Sequence, residues 1–275
     1  MHAILLLPFL FFGHLSNSHL SVSDYTLSHK TSQKRSSDLS IVHISDLHNK
    51  NFGYRQSRLI HKIKTLRPDF IVITGDLVDH APHHHAIVFL QKAARICPIY
   101  YVRGNHEFIA GNYSDLKRKL NACGVCILNN RSIDFQKDGH TYRITGLDDP
   151  IFHGKDKNYR LLLKKMLDRI LARQNDKKAD YHILLSHRPE PFHLYSHYPF
   201  DLVLCGHAHG GQFRPPFTDG LYAPNQGIFP KYTSGMHTEN NTTEIISRGL
   251  GNSTFPLRLF NFPEIVHITI FPALK

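Results

Sequence analysis

Four short polar strings punctuate this 275-residue chain: Asp46-Leu47-His48, Gly75-Asp76-Leu77-Val78-Asp79, Gly104-Asn105-His106-Glu107 and Gly206-His207-Ala208-His209, with His187 between the last two. Their mixture of carboxylate, imidazole and amide side chains suits manganese, zinc or iron, whereas the all-oxygen cage that favours magnesium or calcium is missing. Taken alone, an Asp or Asn after a strand is most often a turn former, and a lone His a satisfied structural residue. Five groups of ligand-type residues in one chain instead point to a metal centre. Two divalent ions held side by side clamp an in-line displacement at phosphorus and lower the pKa of a bound water to about 7. Hydrolysis of a phosphoester is the chemistry these residues would perform.

Each string follows an apolar run, at residues 41–45, 70–74, 99–103, 182–186 and 202–205. The order is strand, then loop, five times. In open α/β sheets the ligand site lies beyond the carboxyl ends of the strands, so five such loops converge on one place. Helical spacing of apolar residues predicts helices over 54–65, 84–96, 114–123 (stopped by Gly124) and 159–173. Further strands are expected at 125–128, 142–146, 244–248 and 264–271. The segment 206–236, rich in Gly, Pro and aromatic residues, reads as a rim to the site. His80 and His83 to His85 open a helix and are expected in solvent.

With 41% hydrophobic residues the chain is long enough for one large core, and a single catalytic domain is expected. Its 33 Lys and Arg against 22 Asp and Glu give a formal charge of +11, which favours phosphorylated substrates, acidic lipid headgroups or nucleic acid as partners. Four cysteines are too few to staple a chain of this size, and Cys123-Gly124-Val125-Cys126 has no second ligand pair nearby to complete a zinc knuckle. The run from Ala3 to Phe12 is almost wholly apolar, yet it is too short to span about 30 Å of hydrocarbon and Pro8 interrupts it. Residues 1–15 therefore read as a membrane anchor or signal-like segment, 16–38 as a polar linker, and 39–275 as the catalytic domain. Because Lys30, Lys34 and Arg35 follow the apolar run, membrane association on the cytoplasmic face is expected ahead of export.

The five strings, in this order, resemble the calcineurin-like metallophosphoesterase superfamily. Asp46-Leu47-His48 after His43-Ile44-Ser45, together with Gly206 to Gln212, is similar to its YkuE/YaeI-type branch. So are Arg248-Gly249-Leu250-Gly251, Pro256-Leu257-Arg258 and Pro263-Glu264-Ile265, and the likeness runs from Leu39 to Phe271. The resemblance implies an α/β fold in which a β-sandwich is flanked by helices in four layers (αββα), with the metal site at the strand carboxyl ends. It also implies a binuclear centre. Asp46, His48, Asp76 and His209 would hold the first ion, Asp76, Asn105, His187 and His207 the second, and Asp76 would bridge them. Manganese is the expected cation at both positions, with zinc or iron as alternatives. His106, beside the ligand Asn105, is expected to serve as general acid at the leaving group, oriented by Asp79. Asn105, Arg188 and Arg248 are expected to contact substrate phosphate.

Phosphoprotein phosphatases with a similar site carry Arg where this chain has His80, so a phosphodiester or pyrophosphate is expected rather than a phosphoserine. The similar branch includes membrane-associated phosphodiesterases, and some members resemble UDP-2,3-diacylglucosamine pyrophosphatases of lipid A synthesis. An apolar N-terminus, a basic charge and an aromatic rim are compatible with such a lipid-linked substrate and with a membrane surface as partner. The alternatives are a general phosphodiesterase on small diesters or nucleotides and a nuclease, although no further segment is present to grip a duplex. A non-catalytic scaffold on this fold would have lost ligands, and every ligand is present. No protein partner is implied.

Overall fold

The computed structural model describes residues 16–31, 37–79, 83–154, 159–174, 179–215, 219–252 and 257–274. Its strands, in chain order, are β1 (Ser21–Thr31), β2 (Leu39–Ile44), β3 (Phe70–Thr74), β4 (Ile99–Val102), β5 (Cys126–Ile127), β6 (Arg131–Lys137), β7 (His140–Gly146), β8 (Tyr181–Leu185), β9 (Leu202–Cys205), β10 (Tyr222–Ala223), β11 (Gly227–Ile228), β12 (Gly235–Glu239), β13 (Thr242–Ile246) and β14 (Glu264–Leu274). Helices are α1 (Ser57–Leu66), α2 (His84–Ala93), α3 (His106–Ile109), α4 (Tyr113–Ala122), α5 (Tyr159–Leu171) and α6 (Phe192–Tyr195).

Two six-stranded sheets face each other, one ordered β1-β14-β2-β3-β4-β5 and the other β12-β13-β9-β8-β7-β6. Their central strands run parallel and are buried on both faces, which is why their sequences are unbroken apolar runs rather than alternating ones. Along β2, Leu39 and Ile41 enter the layer between the sheets, while Val42 and Ile44 pack under α1, α2 and α4. On the outer face of the second sheet α5 contributes Leu163, Met166, Leu167 and Ile170, an i, i+3, i+4, i+7 stripe, to a third cluster with Leu184 and Val203. The four-layer αββα sandwich is the architecture expected from the sequence.

Residues 16–38 are not a linker throughout. Leu20 is in the core, and β1 pairs in parallel with β14 from Ser21 opposite Glu264 to Thr31 opposite Leu274. Tyr25 and Leu27 turn inward against the layer between the sheets, whereas Asp24, Thr26 and Ser28 are exposed. The strand escapes a sequence reading because only a few apolar residues mark its alternation among serines, and backbone pairing with a neighbour distant in sequence does the rest. Polar edge strands β6 and β12 escape it for the same reason. His83 is only 3% exposed, contrary to the expectation of solvent, while His84 is exposed and His80 lies outside the described residues. Residues 1–15 also lie outside them; among the described residues no helix is long and apolar enough to cross a membrane. Cys97, Cys123 and Cys126 are half-buried free thiols and Cys205 is a buried one.

Candidate metal centre

Five loops meet at one end of the sandwich because each leaves the carboxyl end of a parallel strand. They are tied together by backbone: Asp46 N–H donates to Gly75 O (3.1 Å), His48 N–H to Asp76 O (3.0 Å) and Gly206 N–H to His187 O (3.1 Å). Asp76 Oδ1 accepts from His106 N–H (2.8 Å), and both Asp46 oxygens lie near His207 N–H, at 3.1 and 3.2 Å. Glycine is required where these loops touch: a Cβ on Gly104 would collide with the Asp76 carboxylate, and one on Gly206 with Ser45 and Asp46. Asp46, His48, Asp76, His207 and His209 all adopt left-handed backbone, φ between 47 and 67°. Such conformations cost about 1–3 kcal/mol each and persist where the surroundings impose them, which is common at functional sites.

Three groups of potential ligand atoms result: Asp46, His48, Asp76 and His209; Asp76, His187 and His207; and, beside them, His48, Asp79 and His106, with the ligand atoms of each group within 4.8 Å of one another. Asp76 belongs to the first two. Its Oδ2 is 3.9 Å from His48 Nε2 and 3.2 Å from His187 Nε2, while His209 Nε2 is 3.4 Å from Asp46 Oδ1. Asn105 Oδ1 (3.0 Å) and His207 Nδ1 (3.1 Å) complete the second group around His187 Nε2. The outer nitrogens are held in turn, His187 Nδ1 by Thr74 O (2.7 Å), His48 Nδ1 by the Asp79 carboxylate and His207 Nε2 by Asn225 Nδ2 (3.0 Å). Partners of this kind set the ring orientation of metal-binding histidines.

Charge makes the same point. Asp46 and Asp76 are fully buried, and among the described residues neither is ion-paired with Lys or Arg. Burial pushes the Asp46 carboxyl up, with Asp76 adding to the rise against the pull of His187 and His48. Burial would raise Asp76 too, but His187 overrides it and holds that carboxyl well below its ordinary range. His187, which burial alone would lower, is carried up to about 10 by Asp76 and Asp46. Burial and neighbouring cationic groups leave His207 and His209 well below the usual imidazole value. In this dry site two buried carboxylates, neither ion-paired with Lys or Arg among the described residues, face a cluster of imidazoles, and the donor set fits divalent transition-metal ions.

His106 stands beside the first group, its Nε2 4.0 Å from Asp76 Oδ2 and its Nδ1 3.0 Å from Asp79 Oδ1. Burial lowers its basicity, and Asp79 and Asp76 more than restore it. Arg188 makes a two-point ion pair with Asp149 (2.7 and 3.1 Å) and approaches Glu190 at 3.7 Å. Arg248 is gripped by Glu264 at 2.9 and 2.8 Å. Several further residues brace the site. Glu107, buried, accepts from the backbone N–H groups of Asp76 (3.0 Å), Leu77 (2.7 Å) and Gly104 (2.7 Å), locking the second and third loops. Asn261 Nδ2 donates to His209 O (2.6 Å), and Arg258, wholly buried, lies 3.3 Å from His209 Nδ1 while donating to Arg248 O (2.8 Å). Glu107 could have been suspected from its place in the third string; Asn225 and Asn261 could not.

Paired carboxylate–imidazole groups at the strand ends of a four-layer sandwich define a metal-dependent phosphoester hydrolase. The family model of the calcineurin-like phosphoesterases matches residues 39–211, and the chain belongs to that family. YkuE of Bacillus subtilis, an uncharacterized metallophosphoesterase, is 30% identical over 241 residues, 84% of this chain and 78% of its own. Phosphodiesterase YaeI of Escherichia coli is 26% identical over 209 residues, 74% and 71% of the two chains. The solved structure of TT1561 from Thermus thermophilus shares the fold at a TM-score of 0.51 and 14% identity, covering 78% of this chain and 91% of that one.

Proposed function

We propose that the protein hydrolyses a phosphodiester or pyrophosphate bond at a two-metal centre. Asp46, His48, Asp76 and His209 would hold one cation, and Asp76, Asn105, His187 and His207 the other. The observation that carries this reading is the convergence of both ligand groups on the buried carboxylate of Asp76. Manganese, with zinc or iron as alternatives, suits the donors, and the bound pair would supply an activated water and positive charge toward the phosphoryl oxygens.

The chain's own residues orient and deliver protons. Thr74 O and Asp79 turn the rings of His187 and His48 so that each presents Nε2 to the centre. Asp79, by facing His106 Nδ1, likewise leaves His106 Nε2 toward the site, where it would hand its proton to the departing oxygen. Asn105 sets its Oδ1 3.0 Å from His187 Nε2, and its amide would contact a phosphoryl oxygen of the bound substrate. Arg188 and Arg248 act at one remove, bracing the loops through Asp149 and Glu264. The name phosphodiesterase borne by YaeI supports a diester substrate. A lipid-linked phosphoester is favoured within that class by the exposed Phe108 and Ile109, two and three residues after His106.

The test is hydrolysis of bis-p-nitrophenyl phosphate and of UDP-2,3-diacylglucosamine, with manganese and with chelator, by the unmodified protein and by Asp76→Ala. Metal-dependent cleavage lost in the variant is expected, and cleavage indifferent to chelation would refute the two-metal reading.

A further inference from the structure

Exposed apolar side chains gather at the catalytic end of this protein. Tyr54, Ile109, Tyr222, Ile228, Phe229 and Phe260 are exposed by 82, 54, 53, 70, 72 and 44%. Tyr54 lies in the connection that runs from His48 to α1, and Ile109 three residues after His106 in α3. Tyr222 and Ile228 belong to the β10–β11 hairpin, whose turn residue Asn225 reaches His207, and Phe229 follows it. Phe260 adjoins Asn261, which holds the backbone of His209. A soluble surface groups large apolar residues in this way chiefly where something binds. Basic residues stand at the same end: exposed Arg55 and Arg58 around the start of α1, and exposed Lys231 just beyond the hairpin.

The N-terminal segment arrives there as well. Ser21 opens β1 opposite Glu264, the first residue of β14, and its N–H donates to Pro263 O (2.9 Å). Phe260 N–H donates to Ser16 Oγ (3.2 Å), and Arg58 to Ser18 O (2.9 Å). The described chain therefore begins, at Ser16, on the face that carries the candidate metal ligands, and the apolar run Ala3 to Phe12 precedes it in sequence. A tether alone would leave any face turned to a membrane. Tether, apolar ring and basic residues at one end select this face.

We propose that the catalytic end is a membrane-docking face, seated on an anionic bilayer with Ile228 and Phe229 at the depth of the acyl boundary and the metal centre open to the headgroups. Interfacial binding of this kind combines burial of apolar side chains with attraction of Lys and Arg to acidic lipids. That the site then cleaves a lipid phosphoester rests on the two-metal reading; the docking itself does not.

The chain contains no tryptophan, so a single introduced one reports its own surroundings. Full-length Phe229→Trp is titrated with vesicles of phosphatidylcholine and phosphatidylglycerol, and so is Phe271→Trp, whose site is 39% exposed at the far end of β14. Emission of the first should shift to shorter wavelength and be quenched by lipids brominated on their acyl chains, while the second should do neither. Ile228→Trp repeats the test should Phe229→Trp fold poorly. The proposal is overturned if both ends respond alike, or if the protein floats with vesicles while neither hairpin tryptophan responds. It is equally overturned if the shift follows protein concentration instead of lipid, which would indicate a second copy of the chain. Metal-dependent cleavage of bis-p-nitrophenyl phosphate by the unmodified protein without vesicles reads the catalytic assignment separately.

Discussion

His187 in the metal centre and His43 inside the sandwich are both fully buried, yet they come out at opposite ends of the imidazole range. Burial by itself drives His43 down to about 3, and its Nε2 makes a neutral hydrogen bond with Thr74 Oγ1 at 2.8 Å. His187 meets the same burial, but Asp76 and Asp46 face it and lift it to about 10. Glu244, buried beside the Cys205 thiol, repeats the pattern of His43 with the other sign: burial raises its carboxyl well above the usual value. The interior of the sheets thus disfavours charge on what it buries, whereas at the strand ends Asp76 and His187 stabilise each other's charged forms.

The largest break in that contrast is Asp76→Asn. With the shared carboxylate gone, His187 should lose its elevated basicity and both ligand groups their common member, so bound metal should vanish by elemental analysis and kcat fall about 1,000-fold or more. His106→Asn should leave metal content intact and lower kcat by about 10²–10⁴; near-normal turnover would remove His106 from the reaction. Asp79→Asn withdraws the group that raises His106, so the alkaline limb of kcat/KM should move to lower pH, with activity down about 10–100-fold from the loosened His48. In the proposed reaction His106 acts as the protonated form, which is why a lower pKa would cut activity on the alkaline side.

Two smaller effects test the interior. His43 is depressed relative to an unfolded chain, so its neutral form stabilises the fold above pH 6.5 and that stability drains away between 6.5 and about 3. His43→Gln should therefore weaken the acid dependence of urea unfolding by up to about 1.4 kcal/mol per pH unit in that window. Glu244 is raised, so its contribution is intact below the unfolded value and declines as pH rises. Glu244→Gln should lift Tm at pH 8 by about 2–4 °C, the shift that ~1 kcal/mol gives in a chain of this size, and the gain should disappear near pH 4. An unchanged Tm at pH 8 would mean that the carboxyl is solvated.

Much of the candidate centre was legible because metal-ligating groups are defined by residue type, and the candidates Asp46, His48, Asp76, Asn105, His187, His207 and His209 all follow apolar strands. The central helices and strands were legible for a related reason, since burial on one face or on both leaves a period in the chain. Edge strand β1 was not, because its identity comes from pairing with β14 more than 240 residues away. Glu107, Asn225, Asn261 and Arg258 were assigned no role for the same physical reason: each acts through hydrogen bonds to backbone or rings far along the chain.

What the sequence determined by itself was a set of donors in order and the strands that carry them. Which nitrogen of each histidine faces inward, and that five candidate ligands sit in left-handed backbone, were decided by the tertiary structure. So was the arrival of the N-terminal strand at the catalytic end. Residue type is local information, but orientation, strain and charge state depend on neighbours that only the folded sandwich brings within a few ångströms.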